Sequence, residues 1–213
     1  DIAKYIVLFS FLTLMIGFVS GFMIAVNSMH TAYINNFAKS NVEDGNFELT
    51  APASELLTEH MKEKEVELYE NYYFEEQTDA FESKLRVYKV RRGFNEICVM
   101  AGKEPETPDE IAIDRMYAVN NGLEISDTIS LAGRELRITG MVALSDYTSL
   151  YENSSDMMFD ATKFGVAVMT EEGFAGLGNT RLHYSYSWVY DVPPEGDKAA
   201  VERGEEVLEI LME

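Results

Sequence analysis

Cysteine is nearly missing from this chain: Cys98 stands alone among 213 residues. No internal disulfide can form, even in a compartment that would permit one. Within "EICVM" that cysteine reads as a small buried hydrophobe. Positive charge is scarce as well, since 17 Lys and Arg face 37 Asp and Glu, a formal net charge of -20. With Asp1, Lys4 and Lys39 set aside, residues 41–213 keep 15 basic and 36 acidic side chains, a net -21. Such a surface repels nucleic acid and anionic headgroups, and attracts cationic ligands. Tyr, Phe and Val are plentiful in the same stretch, so the charge does not signal disorder.

Patterns that carry chemistry are also missing. His30, His60 and His183 are far apart in sequence, and none has a second ligand at metal-binding spacing. "GFAGLGNTR" offers Gly173, Gly176 and Gly178 without the Lys-Ser/Thr that would hold phosphates. No "GxSxG" occurs. Asp114, Glu124 and Asp127 lack the glycine and spacing of a calcium loop. "NSS" at 153–155 matches the glycosylation pattern, which matters only in a eukaryotic secretory route. No catalytic, cofactor-binding or metal residue is therefore assigned, and no cofactor is expected.

What the chain does have is one long apolar run. Ile6 to Val26 contains no charged side chain. As a helix its 21 residues measure about 32 Å, against a bilayer core of about 30 Å. Apolar residues cover every side of that helix, leaving no stripe for water. Ser10, Thr13 and Ser20 can return their hydroxyls to the backbone. A secretory leader would be shorter and end in a small-residue cleavage site, which "AVNSMH" does not provide. The run reads as a membrane span occupying residues 1–27 with a short cytoplasmic flank. Gly17 and Gly21 lie one turn apart, where a neighbouring helix could approach closely. Lys4 places the N-terminus inside and residues 28–213 outside. The chain begins at Asp1 rather than Met and reads as an excerpt.

Residues 28–45 keep helical spacing through Met29, Tyr33 and Phe37, and are expected to form a stalk that "DG" at 44–45 ends. "NFELTA" alternates as a strand. "PASELLTEHMKEKE" is a helix with Ser54 as cap and Leu56, Leu57 and Met61 on one face. "VELYENYYFEE" reads as one strand, rich in aromatic and β-branched residues. "KLRVYKVRR" and "EIAID" are further strands, and "RMYAVNNG" is a short helix closed by Gly122 in a left-handed cap. "DTISLAGRELRITGMVAL" is a hairpin turning at Gly133. "GVAVMT" is a buried strand and "LHYSYSWVYDV" an alternating one. "PPEGDKAAVERGEEVLEILME" is a charged amphipathic helix after two prolines. The expected architecture is α+β. Residues 46–83 and 148–213 form a porter-like α/β subdomain, and 84–147 an inserted β-rich lobe. That lobe would have its own core of Ile111, Ile113, Leu123, Ile129, Leu131, Leu136, Ile138 and Val142.

"FLTLMIGFVSGFMIAV", the stalk and the domain after it resemble the first membrane helix and outside domain of FtsX-like (MacB-type) ABC transporter permeases. The most specific stretch is "DEIAIDRMYAVNNGLEISDTISLAGRELRITGMVAL". It is similar to the family order of a Glu-Ile/Val-Ala strand, short helix, "NGL", Gly-Asp-Thr/Ser-Ile strand, glycine turn and "ITG-V" strand. Ser126 stands where the family usually has glycine before Asp127. The resemblance implies a non-enzymatic permease subunit in a bacterial cell membrane, dimeric or built from paired halves. ATP would be hydrolysed on a separate ATPase subunit. Tyr33, Ile34 and Phe37 of the stalk would pass the motion outward, toward handling of a peptide, lipid or lipoprotein. The competing class is a ligand-sensing ectodomain of a membrane receptor.

Overall fold

The computed structural model describes residues 2–78, 82–147, 149–152, 156–178 and 181–212, with the side chains of 32–38 and 197 outside that description. It divides into two units, 1–39 and 40–213. The first belongs to α1 (Ile2–Ser40), one uninterrupted helix. Its segment Ile2–Thr31 is long and apolar enough to cross a membrane, and no residue of its most apolar window is buried. The helix stops at Asn41, which adopts φ 44. Asn tolerates this left-handed conformation, and it breaks the helix five residues short of the expected stalk limit. The stalk therefore ends at 40, and Gly45 already belongs to a strand.

The second unit is a mixed ten-stranded sheet with helices packed against it. β1 (Gly45–Leu49) precedes α2 (Glu55–Glu63), whose cap Ser54 accepts the Leu57 amide as expected. "VELYENYYFEE" is not one strand but two, β2 (Val66–Glu70) and β3 (Tyr73–Gln77). The break comes at buried Asn71, whose amide nitrogens are committed to β10 (Leu182–Tyr190): the backbone N–H to Ser185 and the side chain to Ser187. β10 is the spine of this end. It pairs antiparallel with β1 on one side, and with β2 and then β3 on the other. From β3 the sheet continues through β4 (Lys84–Lys89), β9 (Phe164–Met169), β6 (Glu110–Asp114), β8 (Arg134–Ala143) and β5 (Cys98–Gly102). β7 (Thr128–Leu131) pairs with β8 across a two-residue turn, Ala132 and Gly133, both with positive φ. A tight hairpin needs that geometry.

Asp114 ends β6 and caps α3 (Arg115–Asn120), accepting the amides of Met116 and Tyr117 at 2.7 and 3.0 Å. Gly122 follows at φ +66, the left-handed cap read from the sequence. α3 drops Tyr117 onto β9, where Gly165 leaves room for its ring: a Cβ there would sit 2.4 Å away. α4 (Glu171–Ala175) and α5 (Asp197–Met212) complete the domain.

The hydrophobic interior divides differently from the expected lobes. All eight side chains expected to form the core of an 84–147 lobe are buried, yet they pack with Tyr73, Phe74, Phe164 and Val166 in one cluster. The reason is pairing: β4, the first strand of the expected insertion, lies in parallel register with β9 from beyond it. A second, smaller core gathers Met61, Val66, Tyr190 and Val207 from α2, β2, β10 and α5. The division of cores thus falls along β10 and β2–β3, not at residues 83/84 and 147/148. Two smaller expectations fail too. Leu56 is exposed, because α2 turns only Leu57 and Met61 inward. Cys98 is exposed because β5 is an edge strand with all five residues open to solvent.

Candidate functional site: a polar, tyrosine-lined cleft

On the described surface of residues 40–213, β1, β3, β4 and the segment after β8 enclose a cleft of about 410 Å³. Strand alternation positions it. Along β4, Leu85 and Val87 go to the core, so Arg86 and Tyr88 take the opposite face and line the cleft. Glu48 of β1, Tyr73 of β3 and Ser185 of β10 reach it in the same way. Asp146, Tyr147, Tyr151 and Glu152 close the far wall.

Two arginines hold this wall together. Arg91 is almost wholly buried and makes a two-pronged pair with Asp146, at 2.7 and 2.9 Å. Its guanidinium also lies 4.9 Å from the Tyr88 ring centre and reaches Asn71 at 3.3 Å. Arg86 donates to Glu75 and, at 2.9 Å, to the Tyr147 hydroxyl, while stacking 4.5 Å over Tyr73. Planar guanidinium groups suit such forked and stacked contacts, where Lys would not. Burial disfavours the charge on both arginines. The partners around them outweigh it, Asp146 for Arg91 and the Tyr147 hydroxyl with Glu75 for Arg86, and hold them protonated beyond their ordinary range. Burial also pushes the Tyr88 and Tyr147 phenols up, so both stay neutral donors at any ordinary pH. Tyr88 and Tyr147 share a 2.7 Å hydrogen bond.

The carboxylates differ. Burial tends to raise Glu48, but hydrogen bonds from His183 and Tyr73, both 2.8 Å, overcome it and hold the carboxyl below its usual range. His183 stacks flat on the Tyr73 ring at 4.5 Å. Glu43 is different. The side chains that donate to it are neutral: Asn46 at 2.6 Å, Asn95 at 2.5 Å, and the Ser187 hydroxyl. Burial, with a contribution from the charge on Asp146, raises its pKa despite those donors. The cleft is therefore rich in acceptors, and its cations are already matched. That chemistry suits recognition of a donor-rich or cationic group. Among the described residues no set of three or more His, Cys, Asp or Glu is placed to hold a metal ion.

None of the residues given a role from the sequence lines this cleft, although His183 borders it through its bond to Glu48. Ile6 to Val26 lie on α1 and are exposed throughout. Gly17 and Gly21 are on it with open space around them, so an added Cβ at either meets nothing within 4 Å. Tyr33, Ile34 and Phe37 belong to the helical backbone, but their side chains lie outside the described residues. The formal glycosylation triplet at 153–155 lies outside them too. The cleft escaped sequence reading, although two signals pointed to it. Arg86 and Tyr88 alternate with Leu85 and Val87, and Ser185 and Ser187 alternate with tyrosines in β10. Both patterns put polar groups on a second covered face.

No family model matches the chain, and no curated protein matches its sequence. Among solved structures, the extracellular domain of the noncanonic ABC-type transporter YknZ from Gram-positive bacteria is similar with a TM-score of 0.41 and 10% identity. The similarity covers 78% of this chain and 92% of that one.

Proposed function

We propose that this chain is the first membrane helix and outside domain of an FtsX-like, MacB-type ABC transporter permease subunit. The observation that carries the reading is α1. A span-length apolar segment, Ile2–Thr31, continues as helix to Ser40 and runs in sequence straight into a folded sheet domain. A helix joined this way transmits displacement where a coil would absorb it. The segment that resembles the family also folds in the family's order: β6, α3, the Gly122 cap, β7, the Ala132–Gly133 turn and β8.

On this reading the N-terminus is cytoplasmic and residues 28–213 lie outside a bacterial cell membrane. A separate ATPase subunit hydrolyses ATP, and the permease works as a dimer or as paired halves, with Gly17 and Gly21 facing a neighbouring helix. Tyr33, Ile34 and Phe37 carry the stroke, and the domain moves a peptide, lipid or lipoprotein without chemistry of its own. The cleft, about 410 Å³ with fixed acceptors, favours one second reading, a ligand-sensing ectodomain. Three closely spaced spans after residue 213 fit the permease; one span and a cytoplasmic signalling module fit the sensor.

Cys98 supplies a direct test of topology, being exposed and the chain's sole cysteine. A membrane-impermeant maleimide should label it in intact cells. Labelling only after permeabilisation would place the domain inside and end this reading. For coupling, a Gly-Gly pair at Tyr33 and Ile34 loosens the helix by about 1 kcal/mol per residue. Transport in vesicles should fall while ATPase co-purification persists. Unchanged transport would remove the stalk from the mechanism.

A further inference from the structure

Residues 40–44, from the last residue of α1 to the start of β1, are not a loose linker. Ser40 and Asn41 give their carbonyls to the amides of Glu96 and Asn95, at 2.9 and 3.0 Å. The Asn41 side chain donates to the Gly93 carbonyl. The Glu43 amide donates to Asn95 Oδ1 at 2.9 Å, and Asn95 Nδ2 returns a bond to the Glu43 carboxylate. Asp44 is tied to β10 through its own amide, which donates to Trp188, and through its carboxylate, which accepts the Tyr190 amide at 2.8 Å.

The loop that grips this segment is itself rigid. Asn95 is fully buried at φ 42, and Gly93 stands at φ 82. Phe94 is buried and stacks on Tyr69 of β2, ring centres 4.5 Å apart. Glu96 closes the loop by accepting the Gly93 amide at 3.1 Å. A buried amide with both its oxygen and its nitrogen engaged is costly to leave unpaired, so the grip is held or lost as a unit. Ser187 extends it into the domain: it donates to Glu43 and accepts Asn71 at 3.0 Å, and Asn71 accepts Arg91.

We propose that the loop 93–96 is a mechanical joint, with Asn95 as its positioning residue, that fastens segment 40–44 to β2 and β10. Displacement arriving along the chain at residue 40 then reaches the sheet without slack. The joint exists whatever the domain handles, and its test does not depend on transport.

Hydrogen exchange on the full chain in lipid nanodiscs reads the joint directly. Asn95→Gly removes the amide while keeping the left-handed backbone unstrained. Exchange in a peptide covering 41–47 should quicken about ten-fold, with peptides of β6 and β9 unchanged. Ser187→Ala removes one Glu43 partner at small cost in volume and should quicken the same peptide to a lesser degree. It also decides the matter if the Asn95 variant does not fold. Unchanged exchange at 41–47, or an equal rise through β6 and β9, overturns the proposal.

Discussion

Ile6, Leu14 and Ile16 of α1 and Ile111, Ile113 and Val168 of the sheet are the same kinds of side chain with opposite surroundings. The first three expose more than half their surface, and the last three expose none. In the sheet, burial comes from pairing and from the helices laid across it, so strands only five or six residues long are enough. On α1 the apolar surface goes all the way round and continues for 21 residues, Ile6 to Val26. No single packed face could cover it; a hydrocarbon solvent could. Hydrophobicity alone therefore does not say "core". Length and angular spread say which solvent is meant.

The largest effect that would sharpen this contrast lies at a charged residue inside the sheet domain. Arg91→Ala would strand Asp146 in a nearly closed site, since their side chains expose only 1% and 6%. Removing one member of a buried pair costs about 3–5 kcal/mol. Urea unfolding of residues 41–213 followed by tyrosine fluorescence should show the midpoint collapse. A shift of less than about 1 kcal/mol would mean the pair is solvated after all.

A matched pair of apolar truncations comes next. Ile113→Ala should destabilise the domain by about 2–5 kcal/mol. Ile16→Ala on α1 should leave the domain's unfolding unmoved, measured on the full chain in detergent. Equal losses from both would break the comparison, because α1 would then be part of the folded core.

The smallest effect has the opposite sign. Glu43 carries a folded-state pKa raised by burial, so its ionised form costs stability at neutral pH. That cost is fully present above the folded pKa and is relieved as pH falls through it toward the unfolded value. Glu43→Gln should make the domain slightly more stable at pH 8 and erase this part of the pH dependence. Thermal melts of both proteins at pH 8 and pH 5 check it. A variant that is less stable at pH 8 would show that the three hydrogen bonds to Glu43 outweigh burial of its charge.

Much of the fold was legible locally. The Ser54 cap, the Gly122 cap and the hairpin at Gly133 follow from short-range chemistry, and each is present, whereas the split of β2 from β3, the edge strand β5 and the short α4 were not read from the sequence. The eight buried positions between Ile111 and Val142 were legible too, because alternation marks which face is apolar. Alternation does not name the partner that covers the face. That is why a separate lobe looked natural for 84–147, and why β4 instead joined β9, some 80 residues away in sequence. The candidate cleft was illegible for the same reason. Nothing near Arg91 in the sequence announces Asp146, and nothing near Glu43 announces Asn95 and Ser187.

By itself the sequence determined that one segment forms a helix long and apolar enough to cross a membrane, because its 21 uncharged residues offer no hydrophilic face and match a bilayer's thickness. It determined, too, that the remainder folds into alternating strands and short helices under an acidic surface. Tertiary structure alone decided which strands pair, where the two cores divide, and that Arg86 and Arg91 are held inside. Those outcomes depend on contacts between residues 11 to 144 positions apart, from Arg86 and Glu75 to Ser187 and Glu43. A buried charge or amide is stable only where such a distant partner arrives.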